Sequence, residues 1–174
     1  VVNAPQEFRI LLYRRMMLRI AQEAARREKA LGLVTGDSVA QVASQTLRNM
    51  AAIDAVARCT LYRPLSGDDK IEILNLARRI GTYELSCEPF EDCCPRYMPR
   101  SPALHASADD LDRGERVLDV ERLTRMGLES AEGFAFRFEK GEVLSKPISL
   151  WGQTRRINPV EEAANPIPTH AEGI

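Results

Sequence analysis

The chain has 174 residues, 44% of them hydrophobic, and its 24 Lys and Arg against 25 Asp and Glu leave a formal charge of -1. That length suits one domain with a real core plus an extension, and the charge balance excludes a chain-wide basic footprint for nucleic acid while allowing a local one. No apolar run reaches the roughly 18 residues of a membrane span and no basic-then-apolar leader opens the chain, so the expectation is a cytoplasmic protein with no membrane partner.

From Phe8 to about Leu31, apolar Phe8, Leu11, Leu12, Met16, Ile20 and Ala24 recur at three- and four-residue steps, which predicts an amphipathic helix. Arg14, Arg15, Arg19, Arg26 and Arg27 occupy its other faces and read as a solvated basic flank. Leu31 to Thr35 is a short apolar run of the kind that forms a buried strand. Gly36 ends it, and Asp37 or Ser38 can cap the following helix. That helix is expected from about Val39 to Ala57, with Val39, Val42, Ala43, Leu47, Met50 and Ile53 facing inward and Gln41, Gln45 and Arg48 on a polar face.

Cys59 to Leu65 reads as a second strand. Ser66 and Asp69 are spaced like a capping box for a third helix, which Gly81 stops. Helix, strand, helix, strand, helix is the rhythm of an α/β fold, a parallel sheet with crossover helices. Such sheets bind ligands beyond the carboxyl ends of their strands, where Gly36 and the stretch around Arg63 and Pro64 fall. Beyond Gly81 the pattern changes. Cys87 to Pro102 holds three cysteines and four prolines, and the polar stretch Ser107 to Arg116 reads as a linker. A helix is expected from about Val120 to Ser130. Phe134 to Phe138 alternates like a strand before a turn at 139–142, and Asn158 to Ile174 reads as a loosely ordered tail.

Spacing alone assembles no complete catalytic motif. There is no nucleotide-binding fingerprint and no Ser/His/Asp pattern in a recognisable context, and His105 and His170 are scattered in loops. Without a secretory cue, the four cysteines read as reduced thiols. Cys87, Cys93 and Cys94 lack the paired Cys-x-x-Cys spacing of a zinc site; an iron–sulfur site using all three is an alternative. Cys93 and Cys94 are the best local candidates for covalent sulfur chemistry, since a thiolate can carry or accept sulfur. Glu91 and Asp92 beside them would raise a thiol pKa, which Arg96 or a cation brought by a partner would have to offset, and two passive loop cysteines are the competing reading.

Four segments taken together carry a resemblance: LYRRMM from Leu12, LVTGDSVAQVASQTLRNMAAID from Leu33, RPLSGDDKIEILNLARRIGTYE from Arg63, and PFEDCC from Pro89. In that order and at those separations the chain resembles the tRNA 4-thiouridine synthase (tRNA sulfurtransferase) family over roughly residues 8 to 105. The resemblance implies the C-terminal half of an ATP-pyrophosphatase (PP-loop) domain, an adenine-nucleotide alpha-hydrolase-like, Rossmann-like half-domain. In that family ATP adenylates a tRNA uridine, and persulfide sulfur then displaces AMP to give 4-thiouridine. Members can also serve synthesis of the thiamine thiazole.

It further implies ATP with Mg2+ as cofactors and tRNA as substrate and partner. A cysteine desulfurase or another persulfide sulfur carrier would be a second partner, and a homodimer is compatible with it. Arg14, Gly36 and Gln45 take nucleotide-contacting roles by the resemblance, which suits a guanidinium fork, a glycine that admits a ligand to the backbone and an amide that can pair donor and acceptor edges. Cys93 matches the family's sulfur-chemistry cysteine, with Cys94 the alternative if the loop slips by one. Asp69 and Lys70 match a recurring part of the pattern, and a helix start with a solvated lysine accounts for them.

The family's tRNA-binding region and its Ser-Gly-Gly-x-Asp-Ser phosphate loop are not matched in this chain, and no cysteine follows Cys94. The chain opens on Val1 rather than methionine. The expectation is therefore a part of a longer enzyme, inactive alone, with residues 1–106 in the thiolation domain and 107–174 an extension of linker, helix, hairpin and tail. A non-enzymatic remnant acting as an interaction module is a second reading, and a related PP-loop thiolase or ligase with another substrate is a third.

Overall fold

The computed structural model describes residues 4–89, 99 and 101–151. Two compact units divide between Arg125 and Met126. The first opens with a 3-10 turn, Gln6–Phe8, and the long helix α1, Arg9–Arg27. Ile10, Leu11, Leu12 and Leu18 are among its buried apolar residues; of the expected stripe Leu11 and Leu12 are buried, while Phe8, Met16, Ile20 and Ala24 are half-buried. Strand β1, Gly32–Val34, pairs in parallel with β2, Thr60–Tyr62. Gly32 faces Thr60 so closely that a Cβ there would lie 2.7 Å from the Thr60 carbonyl oxygen, so only glycine lets the strands meet in this register. Between the strands lie a 3-10 turn, Ala43–Gln45, and α2, Leu47–Asp54. After β2 come α3, Lys70–Arg79, and the short α4, Tyr83–Ser86. Helix α5, Ala108–Glu115, returns to the core, and α6 spans Val120–Glu129.

The parallel pairing with intervening helices is the expected α/β architecture. Its details differ at four places. Leu31 is 93% exposed and Val34 is also exposed, so the first strand is not buried. β2 is its only strand neighbour among the described residues, too few strands to sandwich it. The second helix begins at Leu47, not Val39, because Ala40 takes a left-handed backbone (φ 64) and the 3-10 turn intervenes. Thr46 then caps the helix by accepting from the Asn49 N–H. The next capping box is Asp69 with Glu72 rather than Ser66 with Asp69, while Gly81 stops that helix as expected with φ 74.

The fourth difference is the largest. Residues 107–116, expected as a linker, form α5. Ser107 and Asp110 make a reciprocal capping box, and Leu111 is fully buried in one cluster with Leu11, Leu12, Leu18, Ala52 and Ile53. The first compact unit thus runs past the expected boundary at 106 to Arg125. Gly114 admits α1, since a Cβ there would already press on Leu12 at 3.3 Å.

A buried cation locks this packing. Arg15, expected on a solvated flank, is 0% exposed. Its Nε and Nη2 donate to the Ala52 carbonyl at 3.0 and 2.8 Å, and Nη1 donates to Asp112 at 2.6 Å and Glu115 at 3.1 Å. Arg19 adds a bidentate pair to Glu115. A charge is tolerated in a core only when paired and hydrogen-bonded, and here two helices supply the partners. Asn49, also fully buried, donates to the carbonyls of Ala43 and Ala103 and accepts from the Ala106 N–H.

In the second unit β3, Gly133–Glu139, and β4, Glu142–Ile148, form an antiparallel hairpin. Lys140 and Gly141 both have positive φ at its turn, the geometry that matches strand twist in two-residue hairpins. Phe134, Phe136 and Phe138 share one face by alternation and all are exposed. Within the described residues, no helix is long and apolar enough to cross a membrane. The tail from Asn158 lies outside the described residues.

Candidate functional site

The carboxyl ends of β1 and β2 are where a parallel sheet leaves room for a ligand. The strand ladder continues one step further, with the Thr35 N–H donating to the Tyr62 carbonyl at 2.9 Å. The chain then leaves through Gly36 and Asp37. Ser38 donates its hydroxyl to the Asp68 carbonyl and the Val39 N–H donates to the Ser66 carbonyl, so this exit is pinned to the loop after β2.

Asp37 is not a helix cap. It is 6% exposed, and its carboxylate collects donors from four elements. Arg14 on α1 pairs with Oδ1, and Gln45 donates to the same oxygen at 3.4 Å. The Thr35 hydroxyl at 2.8 Å and Arg63 Nε at 3.3 Å donate to Oδ2. Arg63 also donates to Asp54 at the end of α2, at 2.6 Å. Burial works against the charged form of Asp37, but the Thr35 hydroxyl, the Arg14 guanidinium and the Gln45 amide outweigh it and hold the carboxyl below its ordinary range.

The structure therefore brings two of the sequence-predicted residues, Arg14 and Gln45, to one carboxylate, with Gly36 adjacent to it in the chain. Gly36 is exposed, and a Cβ built on it would meet nothing within 4 Å. The fold does not need a glycine there, and its absence of a Cβ leaves the backbone open to close approach. Arg14 also keeps its Nε buried with no hydrogen-bond partner. A buried N–H is rarely left so, and an acceptor brought by a ligand would satisfy it. The orphan donor, the open glycine and the amide together fit the ribose or base edges of a nucleotide.

Asp37 and Asp54 were not legible as site residues, and Arg63 was placed only as part of the stretch beyond a strand end. The one available signal was an acidic residue after a strand-ending glycine, with an arginine at the end of the next strand. Asp69 accepts from the N–H groups of Ile71 and Glu72 and takes the helix-start role. Cys59 is half-buried and Cys87 exposed, both as free thiols; Cys93 and Cys94 lie outside the described residues. Among the described residues, no three His, Cys, Asp or Glu side chains group around a point that could hold a metal ion.

Residues 1–120 match the family model described as thiamine biosynthesis protein (ThiI). A probable tRNA sulfurtransferase of Moorella thermoacetica is 45% identical over 130 residues, which are 75% of this chain and 33% of the relative. One of Thermus thermophilus is 46% identical over 132 residues, 76% of this chain and 32% of the relative. A solved 4-thiouridine synthetase in complex with RNA and with bound ATP superposes with a TM-score of 0.68 at 35% identity, covering 83% of this chain and 35% of that one. The chain thus spans about a third of the length of the relatives it matches.

Proposed function

Because the chain belongs to the thiamine biosynthesis protein (ThiI) family, we propose that it supplies part of the ATP pocket and the sulfur-handling loop of a tRNA sulfurtransferase. The observation that carries this is the convergence of Arg14 and Gln45 on Asp37, beside the open Gly36 and at the carboxyl ends of parallel strands. Relatives are described as probable tRNA sulfurtransferases, and a solved neighbour holds both ATP and RNA.

Arg14, Gly36 and Gln45 contact the nucleotide, with the Arg14 Nε and the Gln45 amide giving it directional hydrogen bonds. The triphosphate is cradled by a glycine-rich loop of the parent protein. No three His, Cys, Asp or Glu side chains group together among the described residues, so magnesium would be held chiefly through the phosphates. The uridine carbonyl oxygen of tRNA attacks the α-phosphate of ATP, a P–O bond forms, and pyrophosphate leaves. The terminal sulfur of a carrier persulfide, supplied by a cysteine desulfurase or another sulfur carrier, then displaces AMP from the uridine ring carbon. Cys93, as thiolate, attacks the inner sulfur of that adduct. The S–S bond breaks, its electron pair departs with the thiolated uridine, and Cys93 remains in a disulfide with the carrier until a thiol reductant reopens it. Participation in thiamine thiazole synthesis would use the same sulfur transfer.

The test uses the full-length protein. Arg14→Ala and Gln45→Ala should weaken ATP binding, and Cys93→Ala should abolish 4-thiouridine while adenylation persists. Unchanged ATP affinity in both pocket variants removes them from the site, and undiminished 4-thiouridine in Cys93→Ala removes its role.

A further inference from the structure

Resting on the reading of this cluster as a nucleotide pocket, we propose that Asp37 is its positioning residue, setting the direction of Arg14 and Gln45 while touching no ligand itself. A carboxylate offers about four lone-pair sites. All four are matched in number by donors: Arg14 and Gln45 on Oδ1, Thr35 and Arg63 on Oδ2. A saturated, nearly buried carboxylate has nothing left with which to hold a nucleotide. Its partners do, since the Arg14 side chain is partly exposed and its Nε remains without an acceptor.

The carboxylate is itself held from behind. Arg63 spans Asp37 and Asp54, so a line of alternating charge runs from α2 across the strand ends to α1. Two arginines and two aspartates in that line cancel formally. Arg14 therefore offers a nucleotide an aimed N–H group more than a net positive charge. Aim is what a fixed anion behind a guanidinium provides, because the planar fork can turn only as its anchored end allows. Gln45 reaches the same oxygen from the 3-10 turn, so a single group orients both donors.

A merely structural ion pair and a positioning residue differ in how they combine with Arg14. In the full-length protein, Asp37→Ala, Arg14→Ala and their double variant are compared by the KM for ATP and by kcat in 4-thiouridine formation. Asp37→Ala and Arg14→Ala should each raise KM about tenfold and leave kcat at saturating ATP within about threefold, the signature of lost binding that is uniform along the reaction. The double variant should fall well short of the product of the two single effects, exceeding Arg14→Ala only by the share that Asp37 exerts through Gln45. If Asp37→Ala does not fold, Asp37→Asn, close in size, carries the same comparison with a melting curve beside it. Multiplication of the two single effects in the double variant, or an unchanged KM on replacing Asp37, overturns the proposal. If Arg14→Ala raises KM and the Asp37 variants do not, the positioning role alone fails. If Arg14→Ala also leaves KM unchanged, the nucleotide pocket fails with it.

Discussion

Replacing Glu115 by glutamine tests how the α1–α5 packing is held. The carboxylate accepts from Arg15 at 3.1 Å and from Arg19 at 2.9 Å, with Arg15 fully buried and Glu115 nearly so. An amide keeps one acceptor oxygen and turns an NH2 group toward guanidinium donors. Stranding one partner of a buried pair costs about 3–5 kcal/mol. Arg15 keeps the Ala52 carbonyl and Asp112, so the expected cost falls to roughly 2–3 kcal/mol. At about 4 °C per kcal/mol for a unit of this size, the melting temperature drops by about 8–12 °C. Asp112→Asn is the control. Its side chain is 62% exposed, so water replaces the lost interaction and the cost stays under about 1 kcal/mol. Urea and thermal unfolding followed by far-ultraviolet circular dichroism measure both. A loss below about 1 kcal/mol for Glu115→Gln, or equal losses for the two variants, refutes the reasoning that Glu115 is the chief anion holding the buried Arg15.

Two further outcomes follow from the same physics. Asn49→Ala strips three hydrogen bonds from a fully buried position and leaves two carbonyls and an N–H unpaired, so urea unfolding should show a loss of about 3 kcal/mol or more; a loss under about 1 kcal/mol would show that water repairs the site. Asp37 has a folded pKa below its unfolded value. Its contribution is therefore complete above the ordinary aspartate range near pH 3.9 and is lost as pH falls through that range toward the folded value. Asp37→Asn should flatten the decline of the urea midpoint below about pH 4, and an identical acid profile in wild type and variant would contradict this.

Local pattern was enough wherever a residue's partners lie within a turn or two of it. The first helix with Leu11 and Leu12 inward, the stop at Gly81 and the Phe134–Phe138 strand all follow from spacing that a single segment carries. It was not enough where the partner is remote. Asp37 after a strand and a glycine looks locally like a helix cap, and its arginines stand 23 and 26 positions away. Arg15 looks like one more solvated arginine among five, because nothing near it announces carboxylates beyond residue 110. The polar, acidic stretch Ser107 to Arg116 suggested a linker, although Ser107 and Asp110 already had the spacing of a cap. Arg14, Gly36 and Gln45 came from family resemblance, and only folding put the two polar side chains on one carboxylate.

The distance in sequence between Arg15 and Glu115, 100 positions, also sets an order in time. A ribosome adds about 5–20 residues per second, so α1 waits roughly 5–20 s after its own synthesis before the anion that neutralises its buried arginine exists. During that interval Arg15 must stay in water, and the helix that carries Arg14 cannot settle into its final seat. Arg14, on the same helix, therefore reaches its final setting only after residues about 100 positions further along have been made.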